Sequence, residues 1–345
     1  MTYETRSGDA VADRDLVLDL WQGALEGVLS RRQKYLLHYQ QCPWGAPDIE
    51  LLENDGQAVG VAAVQPRSMH RYGEEVKTGL LIDFAVSPAH RSVGPALKLQ
   101  KSLLARCDER YDLIYGMPNA NARALSRRAG MQEVGSIVRM VRVLRYSRYI
   151  RSYLPEMFAS LAGRVLDASI SLAGSLRRVY HGQMVATWSD MPVAEIDALW
   201  KEQTDAHGDC LIAPRDNLRL GWRLAPTATR RTRYLLLRDV RSGRLAGWFA
   251  CQRFAETLKV MDYWAPGAAR GTNRALLDAL AAAAAAVGCA SVTIELSAPE
   301  VVLQSWMAAG FVARESRPVF AKWSRALEGS TPRPAMFLTS ADEDE

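Results

Sequence analysis

Apolar and polar positions along this chain follow two rhythms, and the same succession of rhythms occurs twice. Apolar residues recur at helical spacing over residues 13–29 and again over 31–39. Two short apolar runs, 49–53 and 58–65, are separated by Asn54-Asp55-Gly56, a strong signal for a tight hairpin. A further strand pattern covers 76–86, and its last part, Leu80 to Val86, is apolar apart from one carboxylate, Asp83. Ser87-Pro88 ends that strand, because proline has no N–H to give to a ladder. A turn of small residues, Arg91-Ser92-Val93-Gly94-Pro95-Ala96, leads into a helical pattern through Leu97, Leu99, Leu103 and Leu104 that ends at Cys107. A strand at Leu113, a helix from Asn121 and a strand over 135–144 complete the first succession.

The second succession places strands at 234–239 and 245–253 around Arg241-Ser242-Gly243, then a strand at 259–264 and a helix over 272–287. A strand at 291–296, a helix near 301–309 and a strand over 311–322 follow. Individual residues recur too. Asp83-Phe84-Ala85-Val86, Arg91, Ala96 and Leu97 reappear 179 residues later as Asp262-Tyr263-Trp264-Ala265, Arg270, Ala275 and Leu276. Trp21 answers to Trp200 at the same offset, and Gly130-Met131 to Gly310-Phe311 at 180. Such self-similarity is the mark of a duplicated unit. The expectation is an α+β chain of two tandem domains, residues 1–145 and 184–345, each a mixed, mostly antiparallel sheet flanked by helices. Residues 146–183 form a helical linker between them. Eight arginines and only two acids fall between positions 139 and 178. The linker is read as a helix packed across the domains with arginine stems snorkelling, the alternative being peripheral contact with an anionic membrane.

Composition narrows the class. The 345 residues are 48% hydrophobic and 23% charged, as in globular proteins. The net charge of +5 suits an anionic small ligand and does not by itself call for nucleic acid. Five cysteines without a CxxC pair point to reduced thiols in the cytoplasm. His207-Gly208-Asp209-Cys210 has no second ligand cluster nearby and reads as a loop, so no metal is expected. The polar residues 1–10 carry no signal core, and no apolar run is long enough to span a membrane. The acidic end, 341–345, reads as a solvated tail after a possible strand at 335–339.

Strand, small-residue turn and helix start form a geometry that presents free N–H groups and a positive helix end to a phosphate. The spacing Arg91-x-x-Gly94-x-Ala96 resembles the acyl-CoA signature of the GNAT acetyltransferase superfamily. The second half of that pattern is similar as well: Asn119, Ala122, Leu125 and Gly130 fall on it, with Met131 where phenylalanine is usual. The resemblance implies acetyl-CoA or another acyl-CoA as substrate. It implies that the backbone of Phe84, Ala85 and Val86 holds the pantetheine arm, and that the N–H groups of Ser92, Val93, Gly94 and Ala96, with Arg91, hold the pyrophosphate. Asn119 and Ala122 complete that set. Asp83 is the candidate general base, since desolvation raises a carboxylate's pKa; the alternative is a structural acid, which Asp262 at the matching place fits. The family's usual tyrosine acid is replaced by Ser126, and Tyr115 is a substitute donor. In the second copy Asn273 stands for Gly94, and Pro299 and Val302 for Asn119 and Ala122, which assigns the acyl-CoA site to the first copy. The implied activity is acyl transfer to an amine or hydroxyl of a small-molecule or saccharide acceptor. A looser resemblance, through Tyr39…Pro43 and Trp222…Pro226, is to proteins of cell-envelope and exopolysaccharide synthesis. The alternatives are a FemAB-like aminoacyl transferase and an inactive scaffold that binds acyl-CoA or a partner enzyme.

Overall fold

The computed structural model describes residues 2–23, 29–145, 184–202, 209–227, 230–327 and 334–344. The arginine-rich segment 146–183 and His207 lie outside the described residues. In the first half, β1 (Tyr3–Gly8), α1 (Arg14–Leu20) and α2 (Arg31–Tyr35) are followed by a π-helical turn, Leu36–Gln40. Then come β2 (Asp48–Asn54), β3 (Gln57–Arg71), β4 (Glu74–Val86), α3 (Val93–Arg106), β5 (Leu113–Gly116), α4 (Arg123–Arg128) and β6 (Gln132–Val143). The second half runs through β7 (Met184–Ser189), α5 (Glu195–Lys201), β8 (Leu211–Ile212), α6 (Asn217–Arg223), β9 (Thr232–Asp239) and β10 (Leu245–Phe254). It continues with β11 (Thr257–Trp264), α7 (Arg274–Ala286), β12 (Ser291–Ser297), α8 (Glu300–Ala308), β13 (Val312–Trp323) and β14 (Met336–Thr339).

All of the described strands join one 14-stranded sheet, whose main path is β1-β2-β3-β4-β5-β13-β6-β12-β11-β10-β9-β7. The centre of that order is the informative part. One long strand of each half, β6 and β13, lies in the other half's ladder: β13 pairs with β5 and β6 pairs with β12, and the two exchanged strands pair with each other. Sequence pattern alone located both strands, but not this exchange of partners. The polar β1 and β7 were also not anticipated. Among the described residues each is an edge strand hydrogen-bonded on one side only, where polar side chains are tolerated.

Alternation along β3 sorts the first half's core into two layers. Ala62 and Val64 face Leu99, Leu103 and Leu104 of α3, whereas Val61 and Ala63 face the stacked Tyr35 and Tyr39, Trp21 and Leu338. Leu338 belongs to the C-terminal segment, and here the structure corrects the expectation of a solvated tail. β14 pairs with β12 and β8, and Ala341, Asp342 and Glu343 are buried. The acids go inside because cations wait there. Asp342 meets Arg215 at 2.8 Å and Arg219 at 2.5 Å, and Glu343 meets Arg317 at 2.5 Å. Burial pushes the Asp342 carboxyl up, but the two arginines outweigh it and hold it down at about 2. No helix among the described residues is long and apolar enough to cross a membrane.

The strand exchange makes the halves mutually dependent. A fragment of residues 1–145 would lack the strand that covers β5 and both neighbours of β6. Followed by tryptophan fluorescence in urea, that fragment should show no cooperative transition, while the full chain does; a fragment transition as sharp as the full chain's would contradict this.

Candidate functional site

β4 and β5 run parallel but pair only over Thr78 to Leu80 of β4. Beyond that point β4 continues to Val86, hydrogen-bonded to β3 on one side and open on the other. The continuation is bent. Val61 lies opposite Ala85 and Ala63 opposite Ile82, so Asp83 and Phe84 share the single partner Ala62 in a β-bulge. Asp83 itself sits at φ 54, in the left-handed region that aspartate tolerates better than most residues. The separation of the two strands leaves a cavity of about 680 Å³, within the range of small-ligand sites.

One wall is the open edge of β4, from Leu80 to Val86, so Phe84, Ala85 and Val86 lie where the sequence placed them. A second wall is the turn and the start of α3, where Arg91, Ser92, Val93 and Ala96 line the space. Four N–H groups were expected to be available here, and two are. Ser92 N–H donates to the His90 carbonyl at 2.8 Å and Ala96 N–H to the Ser92 carbonyl at 3.3 Å. Pro95 has no N–H, which leaves those of Val93 and Gly94 at the helix start. Arg91 donates through Nε to the Val86 carbonyl at 3.3 Å and so braces the turn against the strand. Gly94 has a negative φ, and a Cβ there would meet no protein atom within 4 Å. Nothing in the protein itself calls for glycine at this position; a ligand lying close to the backbone would.

The third wall is the loop after β5 and α4. Asn119 Oδ1 accepts from the N–H groups of Asn121 at 3.1 Å and Ala122 at 3.0 Å, so its side chain shapes the loop that leads into α4. Ser126 lines the cavity, but its hydroxyl donates to the Ala122 carbonyl at 3.1 Å and its proton is committed. Tyr115 does not line the cavity. With Leu113 it faces the opposite layer, and its hydroxyl donates to the Asp342 carbonyl at 3.5 Å. Alternation along β5 turns Tyr115 away from the α3 layer that Ile114 joins, and burial pushes its hydroxyl up to about 12.

Asp83 is the best-held group at the site. Its carboxylate is fully covered, with Lys34 Nζ 2.7 Å from Oδ1 and the Tyr39 hydroxyl donating to Oδ2 at 3.1 Å. Lys34 also meets Asp344 Oδ2 at 3.1 Å, and Asp344 lines the cavity. Burial pushes the Asp83 carboxyl up to about 6; Lys34 and Tyr39 pull the other way and do not cancel it. Lys34, Tyr39 and Asp344 were not named as site residues from sequence. The first two sit on a helical stretch that reads as ordinary amphipathic surface, where a π-helical turn is a recurrent companion of functional sites. Asp344 sat in the acidic run.

The equivalent place in the second half is closed. Asp262 pairs with Arg215 Nε at 2.9 Å and accepts from the Thr339 hydroxyl at 3.0 Å. Asn273 caps α7 with its own side chain, accepting from Ala275 N–H at 2.8 Å, so the helix start is already served. Trp306, 180 residues after Ser126 and on the corresponding helix, fills the space and donates from Nε1 to the Tyr263 and Thr272 hydroxyls at 3.1 Å each.

Comparison with known proteins agrees with this geometry. Residues 11–132 match the model of an acetyltransferase (GNAT) domain. A conserved protein from Enterococcus faecalis V583, described as a probable N-acyltransferase, has a similar structure: TM-score 0.65, 13% identity, covering 94% of this chain and 73% of that one. A GCN5-related N-acetyltransferase from Anabaena variabilis gives 0.64 at 12% identity, over 95% and 74%. A tandem GNAT protein from the clavulanic acid biosynthesis pathway gives 0.52 at 12% identity, over 94% and 99%. At these identities the likeness is one of fold. No curated protein matches the sequence.

The contrast between Ser126 and Trp306 is directly testable. Ser126→Trp should fill the cavity of the first half as Trp306 fills the second. Calorimetry should then show loss of CoA binding, with a circular dichroism spectrum like that of the unaltered protein; retained affinity would show that the ligand lies elsewhere.

Proposed function

We propose, since residues 11–132 match the model of an acetyltransferase (GNAT) domain, that this chain transfers an acyl group, most simply acetyl, from acyl-CoA to an amine or hydroxyl of a small-molecule acceptor. The observation that carries the reading is the open edge of β4, flanked by a helix start with free N–H groups and bearing a covered carboxylate at its bulge. The residues present fit the ligand. The Val93 and Gly94 N–H groups, at the positive end of α3, would take the pyrophosphate, and the missing Cβ of Gly94 leaves it room. The backbone groups of Phe84 to Val86 on the open edge of β4, apart from the Val86 carbonyl that Arg91 meets, would hydrogen-bond the pantetheine amides as a strand would. Acyl-CoA supplies the activated acyl group as a thioester.

Asp83 acts as general base on the acceptor, directly or through one water. With its carboxyl at about 6 it is ionised at neutral pH yet basic enough to take a proton. Lys34 balances its charge and Tyr39 fixes the orientation of Oδ2. Ser126 has its proton engaged, so the departing thiolate draws its proton from solvent, which a thiol pKa of about 8.5 permits. We read residues 1–145 as the catalytic copy and 184–345 as the copy that closes the fold, and place the protein in the cytoplasm, with all five cysteines free and buried.

Asp83→Asn should lower turnover by about 10²–10⁴-fold and remove the acidic limb near pH 6 from the rate profile, with CoA affinity retained. Unchanged turnover and profile would return Asp83 to a structural role. The same shift has a stability signature. Because the folded carboxyl ionises later than the unfolded one, it adds stability below about pH 4 that is lost as pH rises through about 6. Urea midpoints measured at pH 4 and pH 7 should therefore differ less in Asp83→Asn than in the unaltered protein.

A further inference from the structure

Strand β3 carries a buried arginine that no acid among the described residues pairs with. Arg67 is 7% exposed, and none of its three guanidinium nitrogens has a hydrogen-bond partner among the described residues. It shares the parity of Ala63 and Gln65 and so belongs to the layer opposite α3. The Trp222 ring covers one face of the guanidinium at 4.6 Å, and Arg223 lies over the same ring at 5.4 Å, donating from Nε to the Ala341 carbonyl at 3.0 Å and from Nη2 to the Glu343 carbonyl at 2.5 Å. His38 stands beside them. Its Nε2 is 3.4 Å from Arg223 Nη1 and its Nδ1 is 3.1 Å from Gln65 Oε1, an arrangement for a neutral ring. The acids of the C-terminal segment are engaged elsewhere: Asp342 with Arg215 and Arg219, Glu343 with Arg317, Asp344 with Lys34. Arg230, also buried, has no hydrogen-bond partner for its Nε among the described residues. The local excess of positive charge registers in the groups themselves. Burial together with Arg67, Arg230 and Arg219 lowers Arg223 to about 9, and burial with Arg223 and Arg67 keeps His38 well below its ordinary value.

A desolvated guanidinium is costly unless an acceptor meets it, and its planar fork matches carboxylate and phosphate. We propose that Arg67, backed by Trp222, forms an oxyanion site that takes a carboxylate or phosphate group of the acceptor, with Arg223, held by the Ala341 and Glu343 carbonyls, adding positive charge beside it. The register places this site in relation to the chemistry. Arg67 lies four residues along β3 from Ala63, which borders the Asp83 bulge, so the two points are about 13 Å apart at ~3.3 Å per residue. The acceptor is then a molecule whose amine or hydroxyl lies roughly that far from its anionic end. Its assignment to the acceptor rests on the acyltransferase reading; the binding of an oxyanion does not.

The test has two arms on the full chain. In the first, thermal unfolding is followed against inorganic phosphate, and separately acetate, at ionic strength held constant with chloride. The midpoint of the unaltered protein should rise and saturate, the response should vanish in Arg67→Met, and Arg67→Lys should need about tenfold more anion. No rise in the unaltered protein, or an equal rise in Arg67→Met, overturns the proposal. In the second arm, amines paired with and without a remote carboxylate or phosphate are compared as acetyl acceptors. For the anionic member, Arg67→Met should raise KM by about tenfold or more with kcat unchanged, and it should leave the uncharged member alone. Equal KM values alongside an intact phosphate response would make this a site for a free anion and overturn the acceptor assignment. Turnover of no acceptor, with the phosphate response intact, would instead count against the acyltransferase reading and leave the oxyanion site standing.

Discussion

β4 and β5 separate after three paired residues, and the rest of the site depends on that separation. Parallel strands ordinarily keep pairing, because an unpaired buried N–H or C=O costs about as much as a lost hydrogen bond. Here β4 holds its course through its other edge. It stays paired to β3 up to Val86, and the bulge at Asp83 absorbs the bend. The result is a strand with one satisfied edge and one edge facing a cavity. The same bulge aims Asp83 into the layer occupied by Tyr39 and Lys34, while Phe84 joins the α3 layer. One local irregularity thus creates both the open backbone edge and the buried carboxylate beside it, the two features on which the proposed reaction rests.

The duplication supplies an internal control on this account. The second half repeats the short parallel pairing, with β11 and β12 joined only from Thr257 to Val260, and repeats a bulge beside Asp262. What differs is side-chain volume and hydrogen-bond saturation. Trp306 in place of Ser126 fills the cleft, Asn273 in place of Gly94 serves the helix start, and Arg215 and Thr339 enclose the acid. The second half therefore closes this place by ordinary packing, where the Asn273 side chain and the Trp306 Nε1 find partners within the chain. The C-terminal segment ties the halves together, since Asp342 is clamped by Arg215 and Arg219 while Asp344 reaches Lys34 beside Asp83.

Much of this was legible in sequence because it is local. The β4–α3–β5 unit follows from a run of apolar residues, a proline stop and a helical pattern. The proposal that the first half is the catalytic one rests on Gly94 against Asn273, and a cavity beside Gly94's helix start lies in that half. Features that depend on distant partners were hidden. The exchange of β6 and β13 is a choice between two strands of similar length and pattern, which no local signal decides. The acidic run looked solvated because its cations, Arg215 and Arg219, lie 127 and 123 residues from Asp342 in sequence. Tyr115 was drawn to the site by chemistry, but its face depends on a single step of alternation. Arg67 passed unnoticed, since a strand arginine is ordinarily at the surface.

The central claim is that one half of a duplicated fold keeps an open acyl-CoA cleft and the other has closed it. Calorimetric titration of the full chain with CoA tests it most directly. The account predicts one molecule bound per chain, abolished by Gly94→Glu and unaffected by Asn273→Glu; two equivalent sites, or a single site lost in Asn273→Glu and kept in Gly94→Glu, would contradict it.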